Sequence, residues 1–186
     1  MNINKIQWRW EYFSRAEFFN PIFDDCYFND FDEMPFDLQL KYQSNLDLLQ
    51  LIRKFYGKKI LITSTYRAKN SAGRPHRSFG AIDHQPVIPD KSYGHKVFEF
   101  INKNRDMTLE IIRVHNPDMK GLRAFWEYNG KNAGWLHTDI DYKDRYKEVG
   151  KDEIIFKIGY PLSSGAFKYD DYNGVSPIDK YNEIRK

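Results

Sequence analysis

Five histidines, at positions 76, 84, 95, 115 and 137, offer the most chemistry in this chain of 186 residues. A single histidine is most often a surface residue or a satisfied core residue, so context must separate them. His76 sits in a segment rich in Gly and Pro, and Asp83 follows seven residues later near the start of a predicted strand. A loop leading into a strand can fold both side chains toward one point. His137 belongs to Trp135-Leu136-His137-Thr138-Asp139. In a strand that alternation puts Trp135, His137 and Asp139 on one face and Leu136, Thr138 and Ile140 on the other. A face carrying His and Asp together is not a plain core face. Two histidines and one carboxylate make a catalytic zinc set that leaves the fourth position for water. His84 points to the opposite strand face from Asp83. His95 and His115, near a helix start and a strand end, read as surface residues.

The elements that must position these groups follow from hydrophobic periodicity. Ser14 is a good helix N-cap with Glu17 three residues later, as in a capping box, and Asn20-Pro21 ends that short helix. Over residues 37–56, Leu38, Tyr42, Leu46, Leu49, Ile52 and Phe55 recur at spacings of three and four, which predicts an amphipathic helix closed by Gly57. Lys59 to Thr65 reads as a buried strand, residues 67–80 as a loop, and Ala81 to Gln85 as a second strand. A helix is expected over Ser92 to Asn104. Strands are expected over Leu109 to Val114, Phe125 to Tyr128, Trp135 to Ile140 and Ile154 to Gly159, with a turn at Asn129-Gly130-Lys131-Asn132. The last twenty residues read as irregular or a short helix. The sum is an α+β fold: a small, mostly antiparallel sheet with helices packed on one side.

Composition sets the outer bounds. The length fits a single domain spanning residues 1–186. Hydrophobic residues make up 41% and aromatic residues 17%, enough for a core built on Phe, Tyr and Trp. A net charge of +3, without a dense Lys/Arg block, argues against nucleic acid as a partner. The one cysteine, Cys26, rules out an intramolecular disulfide and reads as a small apolar residue. The N-terminus has no signal-peptide pattern and no apolar run reaches 18 residues, so the expectation is synthesis in the cytoplasm without membrane insertion.

Four segments carry a family resemblance: YFSRAEF (12–18), LDLLQLIRKFYGKKILITSTYR (46–67), HRSFGAID (76–83) and WLHTD (135–139). In this order they resemble the zinc D-Ala-D-Ala peptidases, especially the phage, prophage and cell-wall branch, a family similar to the metal-binding hedgehog signalling domain. The matched stretch runs from residue 12 to 142, leaving 143–186 as a C-terminal extension. The resemblance implies Zn²⁺ bound by His76, Asp83 and His137. It also implies hydrolysis of peptidoglycan (murein) peptide cross-links or D-amino-acid peptide ends, as a carboxypeptidase or endopeptidase. Such an enzyme would serve as an endolysin, be carried in a virion, or reach the cell wall with help. The resemblance further implies that Arg67 points at the substrate carbonyl and stabilises its developing oxyanion; a salt bridge tying the loop to the sheet is the other reading of Arg67.

The chain departs from the family pattern in places. Arg74 stands where relatives have Ser, Phe79 where they have Gly, and Gly80 is displaced by one position. Many relatives carry a basic carboxylate three residues before the last His, where this chain has Gly134. Asp139 can supply the base or orient a ligand histidine. Glu127 is a second candidate for the base, or an ordinary exposed strand residue. Trp126, Trp135, Tyr66 and Tyr128 can line a groove or pack the core. Two further readings remain open: a catalytically weak or inactive metal-binding structural or virion protein on the same fold, and a chain in which the three ligands do not converge.

Overall fold

A computed structural model describes residues 7–20, 28–67, 76, 80–117, 121–131, 134–141 and 153–185. Cys26, Pro21, Arg74, Phe79 and Asn132 lie outside them. The fold is α+β: a six-stranded, mostly antiparallel sheet with five α-helices among the described residues. In chain order the elements are α1 (Arg15–Phe19), a 3₁₀ turn (Phe31–Glu33), α2 (Phe36–Tyr56), β1 (Ile60–Ser64) and β2 (Ile82–Pro86). They continue with α3 (Tyr93–Lys103), α4 (Arg105–His115), β3 (Gly121–Glu127), β4 (Trp135–Asp141), β5 (Glu153–Pro161), β6 (Phe167–Asp171) and α5 (Pro177–Glu183). The sheet order is β1-β2-β4-β3-β5-β6, with β3 and β5 the parallel pair.

The register divides the sheet into two chemically different faces. Ile60, Ile62, Ile82, Leu122, Ala124, Trp126, Leu136, Ile140 and Ile158 are all buried on one face. The long helix α2 packs against that face. Its buried Asn45 donates to the Thr138 carbonyl (2.7 Å) and the Gly80 carbonyl (2.9 Å), and accepts from the Thr138 hydroxyl (2.8 Å). One helical side chain thereby fixes both β4 and the approach to β2. Gly80 has φ +62, and a Cβ there would come within 2.6 Å of Lys41 Cβ, so only glycine lets the chain pass this close to α2.

Most expected elements form. Ser14 Oγ caps α1 by accepting from the Glu17 amide (3.0 Å). The Glu17 carboxylate does not complete the capping box; it accepts from the Ile62 amide of β1 instead (3.2 Å). Gly57 closes α2 in the left-handed region, φ 71. The aromatic core is present: Trp10, Phe13, Phe18, Phe31 and Tyr42 are buried, with Phe18 edge-on to Tyr42 at 5.1 Å.

Four expectations need correction. Leu109 to Val114 is not a strand but most of α4, which follows α3 after Asn104. Leu109 and Ile112 are buried one helical turn apart, and a short apolar run does not distinguish helix from strand by periodicity. Contact with α2 decides it: Ser44 Oγ donates to the Ile112 carbonyl (3.2 Å), and Asn116 Nδ2 donates to the Leu40 carbonyl (3.1 Å). Phe55 is not on the core stripe; it is 50% exposed and stacks on Phe100. The chain end holds a strand, β6, as well as a short helix. Its residues are mainly exposed and charged, as suits an edge strand, and this hides the alternation. His95 is not on the surface: half-buried in α3, it lies 4.7 Å from the Trp126 ring and 2.5 Å from Tyr172 Oη.

Candidate metal centre

The second sheet face carries the polar residues. Asp83 on β2 pairs with His137 on β4, which pairs with Phe125 on β3; Arg123 pairs with Asp139 on the same two strands. Residues directly opposite share a face, so Asp83, His137, Asp139, Arg123, Phe125 and Glu127 all project from this side. His76 comes from the segment before β2 and is held by its backbone, whose carbonyl accepts from the Tyr42 hydroxyl of α2 (2.6 Å).

His76, Asp83 and His137 converge. One ligand atom from each lies within 4.8 Å of the others, and all three residues are buried. Asp83 Oδ2 is 3.3 Å from His76 Nε2, and Asp83 Oδ1 is 2.7 Å from His137 Nδ1. The imidazole centroids stand 4.9 Å apart. Atoms bound tetrahedrally at about 2.0–2.1 Å from one cation lie about 3.3 Å from each other. The spacing of His76 Nε2 from Asp83 Oδ2 meets that value, and His137 Nδ1 lies closer, at 2.7 Å, to the other oxygen of Asp83. Burial, donor chemistry and spacing together fit a bound divalent ion.

The surroundings orient the set. His137 Nε2 donates to Asp139 Oδ2 (2.9 Å), while Arg123 donates to both oxygens of Asp139 through Nε (2.7 Å) and Nη2 (2.8 Å). A carboxylate on the outer nitrogen fixes the tautomer and turns Nδ1 toward Asp83. Asp139 is completely buried and Arg123 is 3% exposed. Burial opposes charge on His137, but the carboxylates of Asp139 and Asp83 outweigh it and push its pKa up to about 10. Burial likewise opposes ionisation of Asp83, yet His76 and His137 hold its carboxyl well below the usual range. A metal ion at Nδ1 therefore competes with a proton.

Arg67 follows β1 and donates through Nη2 to Asp83 Oδ2 (2.7 Å) and through Nε to Ser64 Oγ (2.8 Å), with its side chain 25% exposed. It ties the loop to the sheet at the edge of the candidate centre. Glu127 ends β3 opposite Trp135, half-buried, and its Oε1 accepts from Tyr169 Oη of β6 (2.5 Å). Trp126 is buried core, on the face under the helices. Gly134 has φ +88, and a Cβ there would lie 2.5 Å from the Glu127 carbonyl, so the backbone leaves no room for a side chain.

His84 is on the helix-covered face, fully buried, with Nδ1 2.8 Å from Tyr93 Oη; burial pushes its pKa down to about 3. His115 ends α4 rather than a strand, with its Nε2 3.2 Å from Asp47 Oδ2 and 3.2 Å from Arg9 Nη2. Sequence reasoning missed Arg123 and Tyr169. Arg123 alternates in register within β3 and could have been found by pairing strands; Tyr169 alternates only with Phe167, in a five-residue strand otherwise made of charged residues. Among the described residues no helix is long and apolar enough to cross a membrane. No protein-family model, curated protein or solved structure matches the chain.

Proposed function

We propose that this chain is a zinc-dependent peptidase that hydrolyses peptide bonds of peptidoglycan, at cross-links or D-amino-acid ends. The observation that carries this reading is the convergence of His76 Nε2, an Asp83 oxygen and His137 Nδ1 in a buried cluster on one face of the sheet. Three protein ligands of this type favour zinc and leave a coordination position open. When bound, such an ion supplies a Lewis acid that polarises a carbonyl and makes water acidic enough to attack at neutral pH. The substrate class comes from the resemblance of residues 12–142 to the D-Ala-D-Ala peptidases.

The chain's own side chains have distinct roles in this scheme. Asp139, with Arg123 on both its oxygens, holds the His137 ring in the ligating orientation. Arg67 places a partly exposed guanidinium beside Asp83, where it donates hydrogen bonds to a carbonyl oxygen as negative charge grows there. The competing reading is a metal-binding structural or virion protein without turnover. It is favoured by Arg67 being engaged with Asp83 and by the absence of space for a side chain at Gly134.

Elemental analysis of purified wild type beside His137→Ala tests the metal. About one zinc per chain, lost in the variant, is expected, followed by release of D-Ala or cleaved cross-links from peptidoglycan fragments. Wild-type protein that takes up no metal even after zinc is added overturns the peptidase reading. Stoichiometric zinc with intact fragments would favour the structural one.

A further inference from the structure

The two carboxylates within the cluster are committed. Asp83 accepts from His137, His76 and Arg67. Asp139 is sealed from solvent and accepts from Arg123 and His137. Neither is placed to collect a proton from a water molecule and pass it on. A third carboxylate, Glu127, projects from the same sheet face. It stands diagonally across the β3–β4 ladder from His137, because Phe125 pairs with His137 and Glu127 with Trp135. Diagonal neighbours on a sheet lie about 7–8 Å apart at Cα, within reach of a glutamate through one water.

Glu127 is also held in place from outside the matched motifs. Among the described residues its one side-chain hydrogen bond comes from Tyr169 Oη, on Oε1. Tyr169 belongs to the edge strand β6, separated from β3 by β5, so its ring must cross β5 to reach Glu127. Gly159 permits this: it pairs with both Glu127 and Tyr169, and a Cβ there would meet the Tyr169 ring at 2.6 Å and Glu127 Cγ at 3.2 Å. The ring packs edge-on against Phe125 (5.6 Å), which in turn packs edge-on against His137 (5.6 Å). A strand, a glycine gap and an aromatic row together hold one carboxylate on the face that carries the cluster.

We propose that Glu127 is the proton-transferring carboxylate of this site and that Tyr169 is its positioning residue, so that residues beyond 152 complete the centre. The proposal rests on the metal-peptidase reading above. Glu127 takes one proton from water as the water oxygen bonds to the scissile carbonyl carbon. It then delivers that proton to the amide nitrogen as the C–N bond breaks, and returns to a carboxylate. Burial raises the Glu127 pKa; His137 opposes that, Asp83 adds to it, and the Tyr169 hydroxyl and His76 oppose it, leaving the carboxyl above its ordinary value.

The test uses full-length wild type, Glu127→Gln and Tyr169→Phe, each loaded with cobalt(II), with a peptide ending in Lys-D-Ala-D-Ala as substrate. All three should bind one cobalt, which separates this test from the metal question: wild type without metal defeats the underlying reading, not this one alone. Glu127→Gln should lose at least about 100-fold in kcat. Tyr169→Phe removes a donor to the carboxylate, so the acid limb of its kcat/KM profile should move to higher pH. In both variants the pH at which the cobalt visible absorption changes should shift from that of wild type, a readout that needs no turnover. Cobalt spectra superimposable on wild type across the pH range in both variants would overturn the proposal, as would unchanged kcat in Glu127→Gln.

Discussion

Replacing Asp139 by Asn removes one charge from the most deeply buried ion pair described in the molecule and leaves the side chain's shape intact. Three donors converge on this carboxylate: Arg123 Nε, Arg123 Nη2 and His137 Nε2. An amide offers one acceptor oxygen and must turn its NH₂ group toward a donor. Arg123, 3% exposed, would then lose the carboxylate that accepts from both its Nε and its Nη2. Removing one partner of a buried pair costs about 3–5 kcal/mol. For a chain of this size each kcal/mol lowers Tm by about 2–4 °C, so the expected drop is roughly 6–20 °C. Metal affinity should fall as well, by about 10–100-fold, because His137 loses the acceptor that orients its ring. Urea denaturation of the metal-free protein reads the first effect, and zinc competition against a chromophoric chelator reads the second. The double variant Arg123→Met/Asp139→Leu separates them: it should recover much of the stability, since neither member of this pair is left buried without the other, but none of the affinity. An Asp139→Asn protein that binds zinc like wild type would refute the orienting role, and one with unchanged Tm would refute the buried pair itself.

Three further outcomes are expected. Gly94→Ala should destabilise by about 1–3 kcal/mol or more, because a Cβ in α3 would stand 2.1 Å from Trp126 Cδ2 and that indole is buried; a Tm within 2 °C of wild type would contradict the packing of α3 on β3. Gly57→Ala should cost about 1–2 kcal/mol in urea denaturation, all of it conformational, since φ is +71 and nothing lies within 4 Å of the added Cβ; Gly57→Asn should recover part of the loss. Asp90→Asn should flatten both ends of the stability–pH profile. Burial opposes the Asp90 charge, but Ser92, Lys96 and Tyr56 donate to it and hold its folded-state pKa below the roughly 3.9 of an unfolded Asp, so its contribution is whole above that value and is lost as pH falls further. Tyr56 is the mirror case: burial and the Asp90 carboxylate push its pKa up to about 12, so its contribution is whole below about pH 10 and is lost as pH rises toward 12. A wild-type profile no more curved than that of the variant would contradict this linkage.

Much of this molecule is legible without coordinates. Local rules sufficed for α1 with its N-cap and α2 with its C-terminal cap, because an N-cap serine, a three–four apolar stripe and a C-terminal glycine act within a few residues. The alternation in residues 135–140 placed His137 and Asp139 on one strand face, since a strand's period of two is a property of the backbone. The types of the three candidate ligands, their order and their place before β2 and within β4 were also readable.

Tertiary structure decided the rest. Strand pairing brought Asp83 opposite His137 across 54 residues of sequence, and no local rule predicts which strands become neighbours. It settled that residues 109–114 are helical, because their apolar stripe found α2 to pack against rather than a sheet edge. It put Arg123 beside Asp139, whose oxygens accept from Arg123 Nε, Arg123 Nη2 and His137 Nε2. It carried Tyr169 over Gly159 to Glu127, a contact between residues in two strands that are not even neighbours in the sheet. Sequence determines what each short segment can become, because backbone sterics and side-chain periodicity act over a few residues. Convergence of distant side chains depends on the packing of the whole chain, where burial and charge are balanced together.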